Sequence, residues 1–114
     1  MDEALQALAE EIDTAAQNND IPALKALVKK CDDDLAAISE HDAPILHFLK
    51  ANCYGALAIA HSGDPEHEWS WEQSERISEI LSLRKAVLGD AFPELDPVFQ
   101  CKILTNLGSS LDRL

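Results

Sequence analysis

Residues 44–60 read PILHFLKANCYGALAIA, a stretch in which nearly every side chain is apolar or small. Apolar residues that recur every three to four positions form one face of an α-helix. Here they cover more than one such face: Ile45, Leu46, Phe48, Leu49, Cys53, Ala56, Leu57 and Ala60. The pattern therefore predicts a helix that is buried on two sides.

Four more helices are predicted around this one. Residues 2–17, 21–38, 68–88 and 96–114 have helical spacing of apolar residues, and the first-named helix extends over residues 42–60. Asp20 is placed to cap the second helix, and Asp96 and Pro97 open the fifth. The breaks are short, so neighbouring helices are expected to pack as antiparallel hairpins. The predicted fold class is all-α, with about five helices and residues 1–114 as one domain.

The fourth helix is expected to bury its apolar side chains. Its predicted core face consists of Trp71, Ile77, Ile80, Leu81, Leu83 or Arg84, Val87 and Leu88. Glu72 and Arg76 lie one turn apart and are expected to pair. Trp69 and Trp71 cannot share a helix face, which leaves two interpretations: an exposed tryptophan at an interface, or a hydrophobic staple at the helix start.

Composition and charge narrow the class of protein. No run of residues approaches the roughly 18 to 20 apolar residues of a membrane span, and the acidic N-terminus is unlike a secretory signal. We therefore expect a cytoplasmic protein with no membrane partner. The net charge of −12 repels phosphate backbones, so direct nucleic-acid binding is not expected.

No catalytic, metal or cofactor site is predicted. Cys31, Cys53 and Cys101 form no CxxC pair and are expected to be free thiols among apolar residues. Cys53 and His47 are separated by about 9 Å along a helix axis, too far for a nucleophile and its base. The segment HSGDPEHE, residues 61–68, is interpreted as a solvated loop in preference to a metal site. The chain is therefore expected not to be an enzyme.

Two segments share a small residue followed three positions later by a large one. They are ANCY, residues 51–54, and GSSL, residues 108–111. Both resemble the centre of the first helix of a tetratricopeptide repeat, in which the small residue lets a neighbouring helix approach. The resemblance implies a tetratricopeptide-like array of helical hairpins with a concave groove. It also implies that Asn52 and Asn106 hold a partner's backbone or C-terminal carboxylate. The implied groove residues are Phe48, Asn52, Gly55, Thr105, Asn106, Ser109 and Asp112.

A narrower resemblance covers residues 48–114. FLKANCYGAL, residues 48–57, and EQSERISEILSLRKAVLGDAFPELDPVFQCKILTNLGSSLDRL, residues 72–114, resemble bacterial multidomain proteins of toxin and phage-defence systems. Those proteins carry an N-terminal helical-repeat region and a C-terminal HEPN-type ribonuclease domain, whose motif is Arg, four residues, then His. Here Leu81 follows Arg76 at that spacing and Gly89 follows Arg84, so only the role of the repeat region is implied.

The last helix carries an apolar face that a following helix normally covers: Ile103, Leu104, Leu107, Leu111 and Leu114. We therefore expect an N-terminal fragment of a longer protein, or docking of this helix on its neighbours or on another copy.

The predicted function is a non-catalytic protein–protein interaction module that binds a protein or peptide or self-associates. The alternative is a regulatory N-terminal region of a HEPN-type ribonuclease. The candidate partner-binding residues are Phe48, Asn52, Asn106, Leu107, Ser109 and Leu111.

Overall fold

In the computed structural model, the described residues are 3–62 and 69–113, and the description of 69–73 is limited to the backbone. Within these ranges the chain forms five α-helices and no strand. They are α1 (Glu3–Gln17), α2 (Ile21–Leu35), α3 (Ala43–Ser62), α4 (Trp69–Leu88) and α5 (Pro97–Asp112), with a short 3-10 turn at Phe92–Glu94. The predicted all-α class with five helices is confirmed. None of the helices in the described part is long and apolar enough to cross a membrane.

Aspartate caps fix the starts of α2 and α5. The Asp20 side chain accepts a hydrogen bond from the backbone N–H of Ala23 at 3.2 Å, and Asp96 accepts one from Val98 at 2.8 Å. In each helix a proline occupies the first turn, where its missing N–H costs no helical hydrogen bond. The predicted end of α2 at Ile38 is wrong. The helix ends at Leu35 because the N–H groups of residues 37 and 38 both converge on the carbonyl of Asp34.

The central helix is α3, which packs against α1, α2 and α4. Its side chains are buried along most of its length, with Leu46 and Cys53 fully inaccessible. The prediction of a helix buried on two sides is confirmed. The main contacts order the helices from the α1–α2 hairpin through α3 to α4 and then α5.

Two of the three cysteines meet at the α2–α3 interface. Cys31 and Cys53 are free thiols, fully buried, and their side chains interact with each other. The contact with Cys31, together with burial, raises the pKa of Cys53. Cys101 is exposed, contrary to its expected place among buried apolar residues.

The predicted core face of α4 is correct at Leu83, which is buried, and at Val87, which packs against the core, but wrong at three other positions. The side chains of Ile77 and Leu81 are 47% and 49% exposed, and Leu88 is 67% exposed. The helix instead turns Arg76, Glu79, Ser82, Leu83 and Ala86 inward. These residues follow helical spacing, so they form one buried face that is polar toward its N-terminal end and apolar toward its C-terminal end. The side chain of Glu72, the partner predicted for Arg76, lies outside the described set, as do those of Trp69 and Trp71.

Leu46→Ala tests the central place of α3. We expect it to lower the free energy of unfolding by about 2–5 kcal/mol, because it leaves a cavity in a fully buried site. Ile59→Ala on the same helix is the control, since Ile59 is 56% exposed and should cost well under half as much. Urea denaturation followed by circular dichroism measures both, and equal losses would contradict this assignment of the core.

Candidate functional site

An open groove of about 470 Å³ is bordered by residues of four helices. Asn52 and Gly55 of α3 lie on it, together with Asn106 and Ser109 of α5. One wall is apolar and comes from α1 and α3, through Ile12, Ala16, Ala56 and Ile59. The groove therefore offers an apolar wall beside amide and hydroxyl groups.

A buried polar cluster forms the floor of this groove. Arg76 and Glu79 are an ion pair on α4, with 3.4 Å between the Arg76 nitrogen and the Glu79 oxygen. The Ser110 hydroxyl of α5 donates a hydrogen bond to the same Glu79 oxygen. Arg76 and Glu79 are 7% and 8% exposed, and Ser110 is 3% exposed. Burial of these charges is tolerable because they neutralise each other and the carboxylate receives two hydrogen bonds.

The Glu79 carboxylate lies directly against the backbone of Gly55. A β-carbon at residue 55 would overlap the Glu79 Oε2 atom, so the approach of α4 to α3 depends on a glycine there. Gly108 has the opposite surroundings, because a β-carbon there meets nothing within 4 Å among the described atoms. The close approach expected at Gly108 is therefore made at Gly55, whereas Ala51 is buried as a small residue of that pattern should be.

The groove brings together three of the six candidate partner-binding residues. Asn52, Asn106 and Ser109 line it, and Gly55 does so as the resemblance implied. The other three lie elsewhere. Phe48 is buried edge-on against Phe99, with 5.8 Å between ring centroids, and Leu107 packs half-buried against the core. Leu111 is 53% exposed, but it is not among the residues that line the groove.

The groove residues missed at the sequence level are mainly charged. Arg76, Glu79 and Arg113 line the groove, as does Ser110. The spacing of Arg76 and Glu79, three apart on a helix, permits an ion pair, but nothing in a single sequence distinguishes a buried pair from a solvated one. Arg113 and Asp13 lie on the exposed part of the groove, so its lining carries two bases and two acids.

A second cavity, of about 370 Å³, lies between α2, α3 and α4. His61 and Glu75 line it and are joined by a 2.5 Å contact between Nδ1 and Oε1, with Tyr54 nearby in the wall. Residues 63–68 of the segment considered for metal binding lie outside the described residues. Within the described ranges, no group of three or more histidine, cysteine or acidic side chains is placed to hold a metal ion.

Two further residues, Ile103 and His47, are more buried than their sequence context indicates. Ile103, predicted on the uncovered face of α5, is fully buried in the core, so only Leu104 and Leu111 of that face remain exposed in the described part.

His47 has a buried Nδ1 atom with no hydrogen-bond partner among the described residues. Burial lowers the pKa of His47, and the nearby charges of Lys85 and Lys50 lower it further.

Comparison with family models, with curated proteins and with solved structures finds no match to this chain. The resemblances to tetratricopeptide arrays and to the repeat regions of HEPN-type ribonucleases therefore stay predictions.

Gly55→Ala and Gly108→Ala form a matched pair of substitutions. We expect Gly55→Ala to destabilise the fold by about 1–3 kcal/mol, because the methyl group displaces the Glu79 carboxylate from its buried partners. We expect Gly108→Ala to stabilise it by about 0.4–1 kcal/mol, since alanine fits the open helical site and restricts the unfolded chain. Thermal and urea unfolding measure the two shifts. Shifts of the same sign would contradict the proposed packing.

His47 gives a pH dependence of stability. Its folded-state pKa is lowered, so the unfolded chain takes up the proton first as the pH falls below about 6.5. This group therefore contributes no pH dependence above that value and destabilises the fold below it. We expect His47→Gln to reduce the loss of stability between pH 7.5 and 5.5, measured by urea unfolding. An equal loss in the variant and in the unmodified chain would contradict this role of His47.

Proposed function

We propose that this domain is a non-catalytic, tetratricopeptide-like interaction module that holds an extended segment of a partner protein in the groove between α1, α3 and α5. The observation that carries the proposal is the convergence of Asn52 and Asn106 on one open groove from two different helices. A carboxamide both donates and accepts hydrogen bonds, as each peptide unit of an extended chain does. Two carboxamides can therefore hold a main chain without reading its side chains.

The remaining lining supports a peptide in preference to a small charged ligand. The two bases and two acids of the groove balance each other, and Ile12 and Ile59 provide an apolar wall for one side of the segment. The chain as a whole has a net charge of −12, which attracts basic partners and repels acidic ones. The proposed partner segment is therefore extended, carries small or apolar side chains and is uncharged or basic.

The buried cluster supports a binding role over a catalytic one. The Glu79 carboxylate is already engaged by Arg76 and by Ser110, and this network also joins α4 to α5. A nucleophile or a general base needs a reactive atom directed at substrate. In this proposal the cluster instead gives the groove a rigid floor, which limits the entropy lost on binding.

The test is selection of peptides from a random display library on the purified chain, followed by affinity measurement of the selected peptides. We expect Asn52→Ala and Asn106→Ala each to weaken binding about 5- to 10-fold, the loss of roughly one hydrogen bond. Thr105→Ala is the matched control, because Thr105 is exposed on the same helix as Asn106 and is not among the groove-lining residues. Its affinity should equal that of the unmodified chain.

Two outcomes would contradict this function. One is the selection of no peptide above background. The other is a set of peptides whose affinity is insensitive to both asparagine substitutions, which would place their site elsewhere on the chain. Circular dichroism of each variant verifies that the fold is intact before affinities are compared.

A further inference from the structure

Large apolar side chains are exposed on α4 and α5. Ile77, Leu81 and Leu88 follow each other on one face of α4, and Leu104 and Leu111 lie two turns apart on one face of α5. All five are between 47% and 67% exposed. We call this set the α4–α5 apolar face. Large apolar side chains exposed in a row along a helix are typical of surfaces that associate.

At the other end of the helix order, a trough of about 640 Å³ lies between α1 and α2. Ala7 of α1 lines it, together with Ala23 and Ala26 of α2. Small side chains along such a trough leave room for a row of larger side chains from another helix. The acidic residues of the trough are Glu10, Glu11 and Asp20, and no basic residue lines it within the described ranges. We call this surface the α1–α2 trough.

The two ends differ in charge, and basic side chains are concentrated at the second one. Residues 3–42 carry ten acidic and three basic side chains, whereas residues 74–113 carry six acidic and five basic ones. Arg84 is exposed and lies between Leu81 and Leu88 on the same face of α4. An Arg84 side chain brought to the trough would meet Glu10 and Glu11.

We propose that the α4–α5 apolar face docks in the α1–α2 trough of a second copy of this chain. The two surfaces lie at opposite ends of the helix order, so one copy uses its first surface on one neighbour and its second on another. Such a contact is heterologous, and it propagates into chains of copies instead of closing as a symmetric dimer. This goes beyond the proposed function, because the contact uses neither Asn52 nor Asn106.

Two blocked variants test the contact in the intact chain. Leu104→Glu with Leu111→Glu puts charges on the α4–α5 apolar face, and Ala7→Arg with Ala26→Arg fills the trough and repels Arg84. The four positions are exposed helix sites at which the fold should survive, as circular dichroism verifies. In analytical ultracentrifugation, the unmodified chain should show a mean mass that rises continuously with concentration. Each variant alone should be monomeric, with association weakened at least about tenfold, roughly 1.4 kcal/mol.

A one-to-one mixture of the two variants is the decisive measurement. Each retains the surface that the other has lost, so the mixture should form dimers and nothing larger. Those dimers should weaken several-fold between about 0.05 and 0.5 M NaCl, because salt screens the pairing of Arg84 with the acidic rim. Ile59→Glu, at an exposed apolar residue outside both surfaces, should leave self-association unchanged.

Several results would overturn the proposal. The proposal is wrong if the unmodified chain stays monomeric at all concentrations, or if the mixture of the two blocked variants forms no dimer. A trough-blocked variant that still dimerises, beside a monomeric face-blocked one, replaces the head-to-tail contact with a symmetric one. Peptide binding in the groove should be the same in both blocked variants, so failure of this contact and failure of the proposed function are separable.

Discussion

The ion pair of Arg76 and Glu79, buried against Gly55 and Ser110, is the constraint on which the C-terminal half of the structure depends. Removing two charges from water is costly, and the cost is tolerable only where each charge finds its partner at close range. The pair sets the rotation of α4 about its own axis. Because polar residues take the inward positions, Ile77 and Leu81 are left on the outside. The groove floor and the exposed apolar face are therefore two results of one arrangement.

Helix positions were predictable because their signals are local. Asp20 and Asp96 cap helices through hydrogen bonds to residues two or three positions away, and a proline in the first turn needs no distant partner. The apolar content of α3 likewise predicts burial on two sides. The end of α2 was less predictable, since it depends on how two N–H groups share one carbonyl.

The polar part of the buried face of α4 and half of the candidate site were not predictable, because they depend on contacts with other helices. Hydrophobic periodicity counts apolar side chains and assigns polar ones to solvent, so a neutralised Arg76–Glu79 pair is read as exposed surface. Asn52, Asn106 and Ser109 were found through a repeat register, which places residues on a helix face without needing their contacts. That register failed at Phe48, because its ring packs against Phe99 and does not line the groove.

Because Gly55 and Glu79 are in contact, the residue tolerated at position 55 depends on the residue at position 79. While residue 79 is glutamate, residue 55 favours glycine, although glycine is among the weakest helix formers. Loss of the long carboxylate would free residue 55 to become alanine, and the helix would gain intrinsic stability. After that replacement, a return to glutamate would be costly, because the methyl group of residue 55 takes the place of the carboxylate oxygen. The order in which the two positions change therefore matters. Replacing the polar contact between α3 and α4 with an apolar one is easier than restoring it.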